Sequence, residues 1–331
     1  MSKHIAVLTS GGDAPGMNAC IRAIVISAQR NGDNVTGYLR GYNGLIDQQS
    51  VPLTCERMHN LTQRGGTILH SARCERFMHQ DGIQQAADTL HQNGIDTLIV
   101  IGGDGSFRGA HKLAQCWGGQ LIGIPGTIDN DITGTDATIG YYTAIETAVS
   151  SIDKVRDTAD AFDRIFVVEV MGREAGFLGL SAALASSADF VILPELFKSS
   201  EDCLTQIDQQ IRQRTDERGP VSYIIVLAEN CWPGGISDLV SQLTSTTGME
   251  VRPVTLGHVQ RGGPPTSQDR ILAMQLGTFA CELTTQNTSG VMTGMVQHQL
   301  VAVPFDTCWS GKKSLDPACV ATMQTLMNQR Y

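Results

Sequence analysis

Thr97-Leu98-Ile99-Val100-Ile101-Gly102-Gly103-Asp104-Gly105-Ser106 runs from an unbroken apolar stretch into three glycines and an acid. Such a stretch, short and rich in Ile and Val, predicts a strand covered on both faces, as in a parallel sheet. The same order recurs on either side. Ile5–Leu8 precedes Ser10-Gly11-Gly12-Asp13-Ala14-Pro15-Gly16, and Leu121–Ile124 precedes Pro125-Gly126-Thr127-Ile128-Asp129-Asn130-Asp131. Further apolar runs fall at Ile165–Val170, Phe190–Leu193 and Tyr223–Ala228. Between the runs lie helical periodicities. Tyr141, Ile145, Ala148, Ile152 and Val155 line one helix face; Leu204, Ile207 and Ile211 mark another, and Leu272, Leu276, Phe279 and Leu283 a third. Strands alternating with helices predict an α/β fold of doubly wound, mainly parallel sheets covered by helices. Ligands in such folds sit beyond the carboxyl ends of the strands, so the three glycine loops are where chemistry is expected.

The remaining composition narrows the function. At 331 residues the chain is long enough for two domains. With 41% hydrophobic and 17% charged residues it can build large cores, which excludes disorder. Its 35 glycines exceed the usual share of about 7% without forming low-complexity runs, as expected of specific turns and close backbone approaches. A net charge of −9, from 24 cations against 33 anions, argues against a basic nucleic-acid binder. Eighteen of those cations are arginine, the residue suited to forked contacts with phosphates. Nine scattered cysteines without a C-x-x-C read as thiols of a reducing cytoplasm. Ile5–Leu8 is too short for a signal-peptide core, and no apolar run approaches the ~20 residues of a membrane span. Neither a nucleic-acid nor a membrane partner is expected.

Each loop offers a chemical reading. Glycines at Gly11, Gly12 and Gly16, opening a helix, suit backbone N–H groups close to a phosphate, or simply a tight turn. Gly11 and Gly16 have the spacing of a Walker A loop, but Met17 replaces its lysine, which excludes the ordinary P-loop NTPases. Asp104 among glycines can hold Mg²⁺ beside phosphate oxygens, or serve as a turn residue. Asp129 and Asp131 can divide proton abstraction and metal support, with an Asx turn as the plain alternative for Asp131. Together these features describe phosphoryl transfer to a hydroxyl. Arg73, Arg173, Arg252 and Arg261, near expected strand ends and two of them adjoining glycine, are candidates to meet the developing charge.

The segments Leu8–Asn18, Ile101–Ser106, Pro125–Asp131, Val168–Arg173 and Gly257–Gly263 resemble the bacterial, ATP-dependent 6-phosphofructokinase family, in order, over nearly the whole chain. The resemblance implies two domains, one binding ATP (1–140 plus 257–305) and one binding the sugar phosphate (141–256 plus 306–331), with the active site in the cleft between them. It implies transfer of the ATP γ-phosphoryl group to the 1-hydroxyl of fructose 6-phosphate in glycolysis, with Mg²⁺. Asp129 would be the base, Thr127 and Ile128 would contact the sugar, and Arg173 would stabilise the transferring group. Gly12, Arg73, Cys74, Gly103, Asp104, Gly105 and Ser106 would bind ATP. Asp104 would hold the metal, with Asp131 supporting indirectly. Met171, Gly172, Arg173, Glu229, His258, Val259, Gln260 and Arg261 would grip the sugar phosphate. Arg164 and Arg252 would reach it from a neighbouring subunit of a homotetramer.

Pyrophosphate-using relatives carry Asp at the position of Gly105 and Lys at that of Gly126, so the two glycines point to ATP. At the family's effector site Arg22 and Arg156 are retained, but Ile26 and Cys55 replace arginines, and Gly219–Ser222 lacks a lysine-rich run. Feeble allosteric control by ADP or phosphoenolpyruvate is the expectation. The alternatives are another kinase with a Gly-Gly-Asp-Gly loop, a pyrophosphate-dependent phosphofructokinase, or a catalytically dead sugar-phosphate sensor.

Overall fold

A computed structural model describes residues 2–329. Arg330 and Tyr331, the last residues of the expected second domain, lie outside the described residues. The chain divides into two compact units. One comprises the residues up to Ile128 with Ile132–Thr143 and Arg261–Lys313; the other comprises Asp129–Asp131, Ala144–Gln260 and the segment from Ser314 onward.

The first unit opens with β1 (His4–Ser10), α1 (Met17–Arg30), β2 (Asn34–Tyr38), α2 (Tyr42–Ile46) and β3 (Ser50–Leu53). It continues through α3 (Gln80–Gln92), β4 (Thr97–Gly102), α4 (Asp104–Trp117), β5 (Gln120–Pro125) and the start of α5 (Tyr141–Phe162). The second unit follows with β6 (Ile165–Val170), α6 (Phe177–Ala185), β7 (Phe190–Ile192), α7 (Ser200–Arg218), β8 (Tyr223–Ala228), α8 (Gly235–Thr247) and β9 (Val251–Thr255). The chain returns to the first unit for α9 (Ser267–Thr285), β10 (Val291–Val296), β11 (Gln299–Pro304) and α10 (Thr307–Ser310), and ends in the second with α11 (Pro317–Leu326).

The first unit holds a seven-stranded sheet in the order β11-β10-β5-β4-β1-β2-β3. Its centre is parallel, and only the edge strands β3 and β11 run antiparallel to their neighbours. β4 is buried along its whole length, which is why its sequence is continuously apolar. The second unit holds a four-stranded, wholly parallel sheet in the order β7-β8-β6-β9. Both sheets are α/β, as the alternation of apolar runs predicts. Among the described residues no helix is long and apolar enough to cross a membrane, and all nine cysteines are free thiols.

The segment 306–313, placed above with the sugar domain, groups with the first unit instead. The reason is packing: Cys308 is buried in the core that contains Phe107 and Phe305, whose rings stack at 5.7 Å. Residues 257–260 group with the second unit, as do Asp129–Asp131.

Asp269, in the first turn of α9, has no exposed surface. Its carboxylate accepts hydrogen bonds from the Gly140 amide at 2.9 Å and the Thr143 amide at 2.7 Å, and from the Thr143 hydroxyl. It therefore satisfies orphan N–H groups at the start of α5, on a separate helix. Burial pushes its carboxyl pKa up, and the hydrogen bonds oppose that shift. Asp269→Ala should cost about 2–4 kcal/mol in urea unfolding, because it leaves buried donors unpaired.

Candidate active site

Register is what assembles the three glycine loops. In the parallel sheet Ser10 lies opposite Gly102, and Gly102 opposite Pro125. The last residues of β1, β4 and β5 are thus level, and the loops leave the sheet side by side. A backbone hydrogen bond from the Gly126 amide to the Gly102 carbonyl, at 3.0 Å, ties the second loop to the third. The 71–74 segment docks on the first: the Ser71 hydroxyl donates to the Gly11 carbonyl at 2.7 Å, and the Gly11 amide to the Ala72 carbonyl. Arg73 is exposed there and Cys74 half-buried.

Asp104 is the first residue of α4, so the amides of that helix's N-terminus and the favourable end of its dipole face the loop. A methyl group added at Gly103 or Gly105 would meet no described atom within 4 Å, and neither residue has the positive φ that demands glycine. Neither packing nor backbone geometry explains these two glycines, and the face of the loop beside them is open. Gly126 differs, since a Cβ there would come within 2.9 Å of Ile101 and 3.0 Å of Met17. Gly126 is therefore also a packing requirement, beyond any role in excluding a lysine.

Gly12 is constrained by an arginine. Its added Cβ would lie 2.5 Å from Nη1 of Arg261, which donates to the Asp13 carbonyl at 2.9 Å. Arg261, expected with the sugar phosphate, is thus seated on the first glycine loop. In the third loop Thr127, Ile128 and Asp129 are all buried, and the Thr127 carbonyl accepts from the Thr138 hydroxyl at 2.5 Å.

The second unit presents another group at the carboxyl ends of its strands. Val170 lies opposite Ala228, so Met171-Gly172-Arg173 and Glu229 emerge together. The Glu229 carboxylate Oε1 accepts from the Gly172 amide at 3.1 Å and from the Arg173 amide at 2.7 Å. Gly172 has φ 146° and Arg173 φ 57°, so this carboxylate holds a turn that an L-residue adopts at a cost. Met171 is buried, while the Arg173 side chain is exposed. His258 and Val259 are exposed and Gln260 is fully buried in the short helical turn Gly257–Arg261.

Arg164 and Arg252 do not join this group. Arg164 precedes β6, and Arg252 lies opposite Phe166, both at the amino-terminal end of the sheet. At about 3.3 Å per residue that is roughly 13–20 Å along the strand from Val170. Both pair with Glu250. Of the expected effector cations, Arg156 is engaged by the Ser186 and Ser187 carbonyls at 3.1 and 2.8 Å and by Asp189 at 3.7 Å. Arg22 is half-buried on α1.

The phosphofructokinase family model matches residues 4–284. The chain belongs to the phosphofructokinase family. It is 44% identical over 324 residues to ATP-dependent 6-phosphofructokinase 1 of Thermus thermophilus, covering 98% of this chain and 99% of that protein. Among solved structures it matches phosphofructokinase from Saccharomyces cerevisiae with a TM-score of 0.88 at 31% identity, covering 99% of this chain and 47% of that one. The chain thus spans about half the length of the yeast protein. A pyrophosphate-dependent phosphofructokinase from Marinobacter aquaeolei shares the fold, with a TM-score of 0.83 at 20% identity over 98% of this chain and 91% of that one.

The donor set suits Mg²⁺ in a particular manner. Among the described residues no group of three or more His, Cys, Asp or Glu is placed to form a cage. Asp104 offers an accessible carboxylate beside the open positions of Gly103 and Gly105, which suits the mode in which one or two carboxylates share Mg²⁺ with substrate phosphates. Arg108 Nε stands 3.7 Å from that carboxylate, one helical turn along.

Sequence reading passed over Glu169, a carboxylate inside β6. Burial pushes its pKa up; a hydrogen bond from Thr255 opposes this and nearby Glu229 adds to it. The folded chain therefore keeps a proton that the unfolded chain has lost. The resulting stabilisation is complete below the ordinary glutamate range and disappears as pH rises through the elevated value. Glu169→Gln should flatten that part of the stability–pH curve in urea titrations, and an unchanged slope would show that Glu169 is not its source.

Proposed function

We propose that this phosphofructokinase uses ATP to phosphorylate fructose 6-phosphate at its 1-hydroxyl, giving fructose 1,6-bisphosphate and ADP in the cytoplasm. The level alignment of the β1, β4 and β5 loops carries the reading. It sets side by side the loops that begin after Ser10, Gly102 and Pro125, which in this reading supply the phosphate-binding amides, the metal ligand and the base. The 44% identity to an ATP-dependent relative, against 20% to a pyrophosphate-dependent one, supports ATP as donor.

In this reading the first unit takes the nucleotide. Gly12, Arg73, Cys74 and Gly103–Ser106 receive ATP, with the open faces of Gly103 and Gly105 leaving room for its phosphates. Asp104 would hold Mg²⁺, with Asp131 supporting it indirectly, and a bound ion there would supply charge neutralisation at the phosphate oxygens. Asp129 accepts the proton of the sugar's 1-hydroxyl as the oxygen attacks, and Thr127 and Ile128 orient the sugar. Arg173 stabilises the charge on the transferring group. Glu229 acts twice: Oε1 fixes the Met171–Arg173 turn, and the carboxylate receives a sugar hydroxyl. His258, Val259, Gln260 and Arg261 complete the sugar-phosphate grip.

Arg164 and Arg252 serve the 6-phosphate in a neighbouring subunit's site, which implies an oligomer, a homotetramer by the family resemblance. Their position at the end of the β6–β9 sheet opposite Arg173 supports this, because within one chain the strand length keeps them away from that turn.

A coupled assay with fructose 6-phosphate and MgATP tests the activity directly, and no turnover would refute it. Asp129→Asn should lower kcat by about 10²–10⁴ with the KM for the sugar changed little, since a general base is lost while its contacts remain. Activity within a few-fold of the native enzyme would reject Asp129 as base. Arg156 is already satisfied by carbonyls and Asp189, so effector control is weak. Steady-state titration with ADP or phosphoenolpyruvate should change the half-saturating fructose 6-phosphate concentration by less than about twofold, a coupling of under roughly 0.4 kcal/mol.

A further inference from the structure

At the amino-terminal end of the second sheet three charged side chains form a group that the mechanism uses only in part. β6 and β9 run side by side with Ile165 opposite Val251, which brings the preceding residues, Arg164 and Glu250, together. The Ile165 amide donates to the Glu250 carbonyl at 3.3 Å and fixes the backbone there. The Glu250 carboxylate then divides between two arginines: Oε2 accepts from Arg164 Nε at 2.6 Å, and Oε1 accepts from Arg252 Nη2. The Arg164 guanidinium also lies over the Phe162 ring, 4.4 Å from its centroid.

A role in stability is a poor explanation of this group. Its side chains are 29%, 43% and 55% exposed for Arg164, Glu250 and Arg252, and exposed ion pairs contribute little to folding. Its chemistry suits anion binding. Each guanidinium is a rigid fork of five donors, of which these bonds use one apiece. Two such forks side by side repel each other and, unsupported, lose rotamer freedom when a ligand fixes them. A carboxylate between them cancels the repulsion and holds both in place. Two positive charges less one negative still leave a net attraction for a phosphate dianion.

The geometry points to Glu250 as a positioning residue for the sugar-phosphate site: its carboxylate pre-assembles Arg164 and Arg252 into one phosphate-receiving pair without touching substrate. This rests on the reading that those two arginines receive the 6-phosphate. Removing the carboxylate leaves both cations present but unorganised, so the loss falls on ground-state binding of the sugar phosphate. If the carboxylate were only a plug that phosphate must displace, its removal would tighten binding instead.

The test is steady-state kinetics of the intact oligomer for Glu250→Gln, Glu250→Asp and the Arg164→Ala/Arg252→Ala double variant, with and without Glu250→Gln added. Glu250→Gln should raise the KM for fructose 6-phosphate roughly tenfold while kcat and the KM for ATP change less than about twofold. Glu250→Asp, which keeps the charge, should recover part of the loss. Added to the double arginine variant, Glu250→Gln should change nothing further, because the groups it organises are gone. A merely structural role would move kcat and both KM values and would persist in that background. If the arginine variant raises the KM for the sugar phosphate but Glu250→Gln leaves it unchanged or lowers it, the positioning role is wrong and the assignment of the arginines stands. If the arginine variant leaves that KM unchanged, the assignment itself fails and the positioning role falls with it.

Discussion

Parallel pairing of β1, β4 and β5 with Ser10, Gly102 and Pro125 level is the constraint on which the site in the first unit depends. Parallel strands place all their carboxyl ends on one edge, and a level register makes the loops that follow them neighbours. A one-residue slip of β4 would carry Asp104 about 3.3 Å along the sheet and turn its strand's side chains to the opposite faces. The continuous burial of β4 gives that register its energetic weight.

The glycines of the loops divide into those whose neighbours crowd the position and those that face open space. At Gly126 an added methyl group would press on Ile101 and Met17, and at Gly12 it would displace the Arg261 guanidinium from its seat. At Gly103 and Gly105 there is space and an ordinary backbone, yet no side chain fills it. A helix N-terminus and open space coincide there, the two features on which the proposed phosphate site rests.

Carboxylates in the second unit act as organisers. Glu229 spends one oxygen on the backbone of a strained turn. Glu250 gathers two arginines, and Asp189 receives Arg214 and Arg156 beside the end of α6. In an acidic chain whose cations are mostly arginine, such pairings decide where positive charge is concentrated and where it is already neutralised. Arg156 is paired with Asp189 and two carbonyls. The Glu250 grouping keeps a net positive charge in one place.

By itself the sequence determined the α/β class, because Ile- and Val-rich runs such as Thr97–Ile101 are stable only when covered on both faces, and it marked the loops after them as the chemical edge. It left β2, β3, β9, β10 and β11 unread: β2 and β10 are interrupted by Gly37 and Gly294, and β3 and β9 contain Pro52 and Pro253 on edge strands. Partly covered strands show little hydrophobic signal, so periodicity cannot find them. Tertiary structure alone decided that Arg261 rests on Gly12, that Glu229 braces the turn before Ala175, and that Arg164 meets Glu250 and Arg252 far from Arg173. Those relations join residues dozens to hundreds of positions apart, and only strand order and register bring them into reach of one another.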